Sequence, residues 1–208
     1  MVQVLKRSLL FFVALFLLSI ITHAQSAFDG TTRILQLGVG AGRSPHYLVG
    51  TNYATFNNSP LLVLAYEQAL KKQIGPGYFS LGAQLGWRST RYRSVTLAPL
   101  GWYEEKNTWS DFGLGARLMY HLTEIDAKKL DVYGGLIAGP TFSKRATYAG
   151  YQDAQTYSYV NKRFLLSSWN SGFALGAHYF FNSKIAVMLE GQWLWRMSNL
   201  NVGVAVKM

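Results

Sequence analysis

Four histidines and no cysteine bound the chemistry open to this chain of 208 residues. Without Cys there is no thiolate nucleophile, no thiolate zinc or iron–sulfur site, no disulfide and no cysteine to carry a lipid anchor. A hydrolase would need a nucleophile or activated water beside an oriented base. His23 falls in the leader described below, His46 follows Ser44-Pro45 in a connection, and His121 and His178 stand near the same end of two separated strands. That separation argues against a shared metal, so no catalysis, cofactor or metal is expected. The remaining charges are spaced for pairing. Arg117 and Glu190 each lie five residues from one end of an alternating segment, at a common height. A contact between them is expected, with Gln84 and Gln192 in the next layer and Glu67 in the same polar network.

The segments that carry these residues read in twos. From Phe79, the residues Phe79, Leu81, Ala83, Leu85 and Trp87 share one face, and Ser80, Gly82, Gln84, Gly86 and Arg88 the other. That is β alternation. Copies follow at Asp111 to Leu122, Phe173 to Phe181, Ile185 to Met197 and Leu200 to Met208, with weaker ones at Arg33 to Arg43, Leu61 to Leu70 and Asp131 to Lys144. Eight strands result. Three connections are long, Ser44 to Pro60, Ser94 to Thr108 and Arg145 to Arg163, and they alternate with shorter ones such as Lys71 to Gly77, Thr123 to Leu130 and Asn182-Ser183. An up-and-down barrel places alternate connections at opposite ends. The expected fold is an all-β, eight-stranded antiparallel up-and-down transmembrane β-barrel.

Lys6 and Arg7 precede an apolar run from Leu9 to Ile21, and Thr22-His23-Ala24 precede Gln25. This is the three-part pattern of an export signal, and its apolar run reaches only about 20 Å of a hydrocarbon layer roughly 30 Å thick. Residues 1–24 are therefore expected to be a cleaved leader and residues 25–208 one barrel domain. The net charge of +10 would otherwise suggest nucleic acid. Export removes that partner.

Alternation alone fits a second barrel, the soluble lipocalin-like carrier with its apolar face around a ligand. Glycine placement separates the two. Gly82, Gly86, Gly113 and Gly115 stand on polar rows, and eight strands leave an interior just wide enough for side chains. Small residues belong inside such a lumen, so the apolar rows face lipid. Aromatic residues collect at both ends of those rows, as at a water–lipid boundary. From Phe79 to Trp87 is about 20 Å at the usual strand rise and tilt.

The leader, the Gly-rich strands and the closing segment Asn199-Leu-Asn-Val-Gly-Val-Ala-Val-Lys-Met208 resemble the small eight-stranded outer-membrane barrels of Gram-negative bacteria, the type of OmpX and the OmpA transmembrane domain. The Ala24-Gln25 boundary resembles that of Bacteroidetes barrels. The resemblance implies the bacterial outer membrane as location, barrel-assembly machinery as partner, and a structural or adhesive role. A small gated pore is the alternative, and an outer-membrane enzyme acting on lipid A or peptides a more distant one. The closing residue Met208 departs from the aromatic common at that place.

A basic outer rim is expected from Arg43, Arg88, Arg91, Arg93, Lys144, Arg145, Lys162, Arg163 and Arg196. Lipopolysaccharide phosphates are its natural partners. Connections rich in Tyr, such as Tyr47, Tyr148 and Tyr157, suit contact with an extracellular protein or glycan.

Overall fold

The computed structural model describes residues 27–42, 54–98, 101–123, 129–151, 162–194 and 199–208. Among the described residues nine strands form one antiparallel sheet: β1 (Arg33–Gly42), β2 (Ala54–Asn58), β3 (Leu61–Ile74), β4 (Gly77–Ala98), β5 (Gly101–Leu122), β6 (Leu130–Tyr151), β7 (Lys162–Phe180), β8 (Ile185–Leu194) and β9 (Asn199–Lys207). β2 and β3 both pair with β4, at Asn58↔Thr90 and Leu62↔Trp87. They are one stave interrupted at Ser59-Pro60. Eight staves then close through β1 and β9, with Gln36↔Ala205 and Gly40↔Asn201 as rungs.

The inner turns are tight for local reasons. Gly75 turns β3 into β4 at φ 59°, a left-handed conformation that costs glycine nothing. Asn182 Oδ1 accepts from the backbone N–H of Lys184 and of Ile185, both at 2.8 Å, and folds β7 back into β8.

Apolar rows face outward on every stave: Leu37 is 61% exposed, Leu136 60%, Leu189 52% and Val202 57%. The inward rows are polar and buried. Glu67, Asn107, His121, His178 and Asn201 are all 0% exposed. The lipocalin-like orientation is thereby inverted.

Three expected connections are partly strand. β4 and β5 stay paired from Arg88↔Asp111 to Ala98↔Gly101, through residues expected to form a loop. β6 runs to Tyr151, β7 begins at Lys162, and β2 lies inside the expected Ser44–Pro60 connection. Above the apolar belt both faces of a strand meet polar surroundings, so pairing persists while alternation disappears. Trp109 shows the same break. It lies at the height where aromatics would be expected to meet the outer lipid boundary, yet it turns inward and is 3% exposed.

Candidate functional site

Arg117 on β5 is the centre of the lumen. Its Nε donates to Glu67 Oε1 at 2.9 Å, its Nη2 lies 2.8 Å from Glu67 Oε1 and 2.5 Å from Glu190 Oε2, and its Nη1 donates to Gln84 Oε1 at 2.8 Å. Gln192 Nε2 donates to Glu190 Oε1 at 2.6 Å and to Gln84 Oε1 at 3.1 Å. Tyr133 adds its hydroxyl to Glu190 Oε2 at 2.9 Å, and Gln36 Nε2 donates to Glu67 Oε1 at 3.1 Å. A guanidinium taken out of water must have its donors met. Two carboxylates and an amide oxygen meet them here.

Register explains how these groups reach one another. Glu67, Gly82 and Arg117 are consecutive rungs across β3, β4 and β5, and Tyr133, Gly176 and Glu190 across β6, β7 and β8. In each trio the middle residue is glycine. A Cβ on Gly82 would lie 2.9 Å from Glu67 Cγ, and one on Gly176 would lie 2.6 Å from the Tyr133 ring. The absent side chains are the space through which the outer pair meets. Glycines on the polar rows signalled this space, but the trios emerge only from the register.

Toward the inner end lies a second layer. His121 Nδ1 lies 2.9 Å from both Asp131 oxygens, His178 Nδ1 lies 2.9 Å from Asp131 Oδ2, and His121 Nε2 lies 3.2 Å from Glu67 Oε2. Asp131 on the intervening strand joins the two histidines that the sequence pattern kept apart. No group of three or more His, Asp or Glu converges on a metal position among the described residues. Ser80 Oγ, His121 Nε2 (3.1 Å) and Asp131 stand in the order of a nucleophile relay. Ser80 is fully buried, however, and also donates to Glu67 Oε2 at 3.1 Å.

Above the Arg117 layer the lumen narrows to a cavity of about 20 Å³ between Leu61, Val63, Ile137 and Leu194 and the polar Gln84, Thr141 and Asn170. That is room for about one water.

At the rim the basic residues divide. Arg88, expected both on the inward row of Gln84 and Gly86 and at the rim, follows that row into the lumen and is 1% exposed. Arg145 also turns inward. Its Nη2 and Nε donate to Asn107 Oδ1 at 3.0 and 3.2 Å, and its guanidinium lies 5.3 Å from the Trp109 ring centre. Arg91, Arg93 and Lys144 face outward and are exposed. They stand above the aromatic rung Trp87↔Phe112↔Phe142, through Ser110↔Lys144, Arg91↔Thr108 and Arg93↔Lys106. Glu104 sits among them, paired with Arg93 and with Lys106 (3.0 Å). Burial pushes the Glu104 carboxyl up, but Lys106 and Arg93 together hold it below the ordinary carboxylate range. Arg43 and Arg196 lie outside the described residues, as does His46. Of Lys162 and Arg163 only the backbone, opening β7, is described.

No protein-family model and no curated protein matches the chain. Among solved structures, it is similar to Ail, the attachment invasion locus protein of Yersinia pestis, at 10% identity and TM-score 0.47, covering 87% of this chain and 100% of that one. It is also similar to the outer membrane protein OprG from Pseudomonas aeruginosa (11% identity, TM-score 0.48, 86% of this chain, 97% of that one). Neisserial surface protein A is a third (11%, TM-score 0.40, 85% and 97%).

Proposed function

We propose that the mature chain, residues 25–208 after loss of the leader 1–24, is a bacterial outer-membrane barrel whose lumen is filled and whose outer end makes surface contacts. One observation carries the reading: the wall is apolar and exposed outside, polar and buried inside. A monomer in water rarely exposes apolar patches beyond a few hundred Å², whereas here exposed aliphatic rows run around the ring, from Leu37 through Leu64, Leu85, Leu118, Leu175 and Val187 to Val202. Hydrocarbon accepts that surface.

The lumen reads as a plug. The Arg117 layer spans from β3 to β8, and its side chains are fully buried. Closed geometry of this kind specifies the fold and fills the lumen with side chains at that height. The catalytic alternative has little support, since the relay of Ser80, His121 and Asp131 is enclosed at the inner end. Outside, Lys144, Arg91 and Arg93 rise in successive two-residue steps above the aromatic rung, about 5 Å of height per step at the usual tilt. That is where lipopolysaccharide phosphates would meet them. Exposed Tyr148, on the rung of Arg93 and Lys106, and Trp102 higher on the same wall suit an extracellular protein or glycan.

Fractionation tests the reading. The protein should begin near Gln25, sediment with outer membranes and run on gels as a heat-modifiable barrel; recovery from the soluble periplasm would defeat it. Planar-bilayer recording of refolded protein tests the plug. Wild type should conduct little, and sustained ion flow that rises when Glu190 is replaced by Gln would favour the gated pore instead.

A further inference from the structure

The inner mouth of the lumen is closed by residues that precede the barrel. Asp29 Oδ1 accepts from Thr31 N (2.8 Å), Thr31 Oγ1 (2.7 Å) and Thr32 Oγ1 (3.0 Å), and Thr32 N donates to Asp29 O at 3.1 Å. This is a tight turn capped by its own carboxylate. Gly30 seats the turn on the wall, where a Cβ would lie 2.8 Å from Lys71 O and 3.1 Å from the Tyr78 ring. The chain just before the turn is thereby sent back under the staves. Phe28 enters the lumen and is 1% exposed.

Its ring lies flat on the His121 imidazole, with centroids 3.6 Å apart and planes 3° from parallel. Ile34, Ala69, Phe180, Ala186 and Ala205 surround it. Three alanines on inward rows leave the volume of a phenyl ring, and Phe28 fills it. Lys207 on the closing strand steadies the segment, with Nζ 3.5 Å from Ala27 O and 3.9 Å from Asp29 Oδ2. Burial pushes the Asp29 carboxyl up, but the Thr31 hydroxyl and backbone N–H, the Thr32 hydroxyl and Lys207 hold it below its ordinary range. It caps the turn as the carboxylate.

The attachment differs from that of the staves. A stave is held by a ladder on each side, whereas the backbone of this segment meets the ring outside any ladder, with Ala69 N donating to Thr32 O at 2.8 Å. Side-chain contacts add to that bond. Behind Phe28 stand His121, Asp131, His178 and Glu67.

We propose that residues 27–32 are a stopper: Phe28 seals the inner mouth, and its withdrawal from an intact barrel opens the His121–Asp131–His178 cluster to water. The Arg117 layer then remains as the barrier between the two ends. The lumen thus has two closures in series, one built from the wall and one from a segment able to leave it. This inference stands on the barrel and not on its membrane setting, so it can be tested in detergent micelles.

The chain has no cysteine, so Ser80→Cys places one thiol beyond Phe28. Its rate of reaction with a small methanethiosulfonate should rise at least about tenfold when Phe28→Ala is added, and stay within about threefold of the parent with Phe28→Leu. Equal rates in S80C and S80C/F28A, with gel mobility showing both barrels folded, would overturn the stopper. A second measurement keeps Phe28 in place and needs no further variant. Thiol reaction of S80C should begin at urea concentrations where mobility still reports a folded barrel. Reaction that starts only as the barrel itself unfolds would also overturn it.

Discussion

Two groups of ion pairs, one in the lumen and one on the outer wall, use the same residue types to different ends. Arg117 meets Glu67 and Glu190 with side chains no more than 1% exposed. Arg93 and Lys106 meet Glu104 with the two bases 55% and 54% exposed. In the lumen, water cannot replace a lost partner, so removing one charge strands another at a cost of about 3 to 5 kcal/mol. On the wall, water and salt take over, and such pairs are worth about 0 to 1 kcal/mol. The contrast assigns the lumen charges to holding the barrel in one arrangement and leaves the wall charges available to outside ligands.

The sharpest break in that comparison is Arg117→Met. It leaves Glu67 and Glu190 buried without their cation and should cost about 3 to 5 kcal/mol in urea unfolding from micelles or vesicles. Glu190→Gln should cost less, because Arg117 keeps Glu67. Next comes the wall itself. Leu114→Arg puts a charge into the apolar belt and should cost about 2 to 4 kcal/mol if that position lies near the midplane. The same change at Leu97, 68% exposed near the end of β4, should stay within about 0.5 kcal/mol. Equal costs would mean that the belt is misplaced. Tyr133→Phe removes the hydroxyl from Glu190 and should cost about 1.5 to 3 kcal/mol, the range for a hydrogen bond to a charged group.

Glu104→Gln should have the smallest effect, below about 1 kcal/mol and weaker still in high salt. Its pH dependence has a defined sign. Arg93 and Lys106 hold the folded-state carboxyl below its ordinary value of 4.5. The contribution is therefore present above that value and lost as pH falls through the depressed folded value. Wild type and Glu104→Gln should converge in stability upon acidification; divergence would contradict the wall pairing.

The same contrast decides what could be read from the residues alone. At belt height lipid lies on one side and a packed lumen on the other, so each strand must alternate, and the rows around Leu114 and Arg117 were legible. The shared height of Arg117 and Glu190 followed from counting along those rows. Glu67 as the second carboxylate on Arg117 did not, because it depends on Gly82 falling between them in the register. Asp131 was equally hidden, since its bridging position depends on three adjacent strands. Beyond the aromatic rung, Arg88 to Ala98 has no apolar period, although its pairing with β5 is unbroken. Periodicity reports environment, and pairing survives without it. Phe28 precedes the first alternating segment, where no period exists to mark it as buried.

The lumen account rests most directly on the coupling between Arg117 and Glu190, measured by a double-mutant cycle with Arg117→Met and Glu190→Gln in reversible unfolding. Once Arg117 is gone, neutralising Glu190 relieves a stranded carboxylate, so the double variant should be more stable than the two single costs summed, by more than about 1 kcal/mol. Additivity within about 0.5 kcal/mol would show that the two side chains do not act on each other, and the lumen would then lack the ionic layer on which its closure depends.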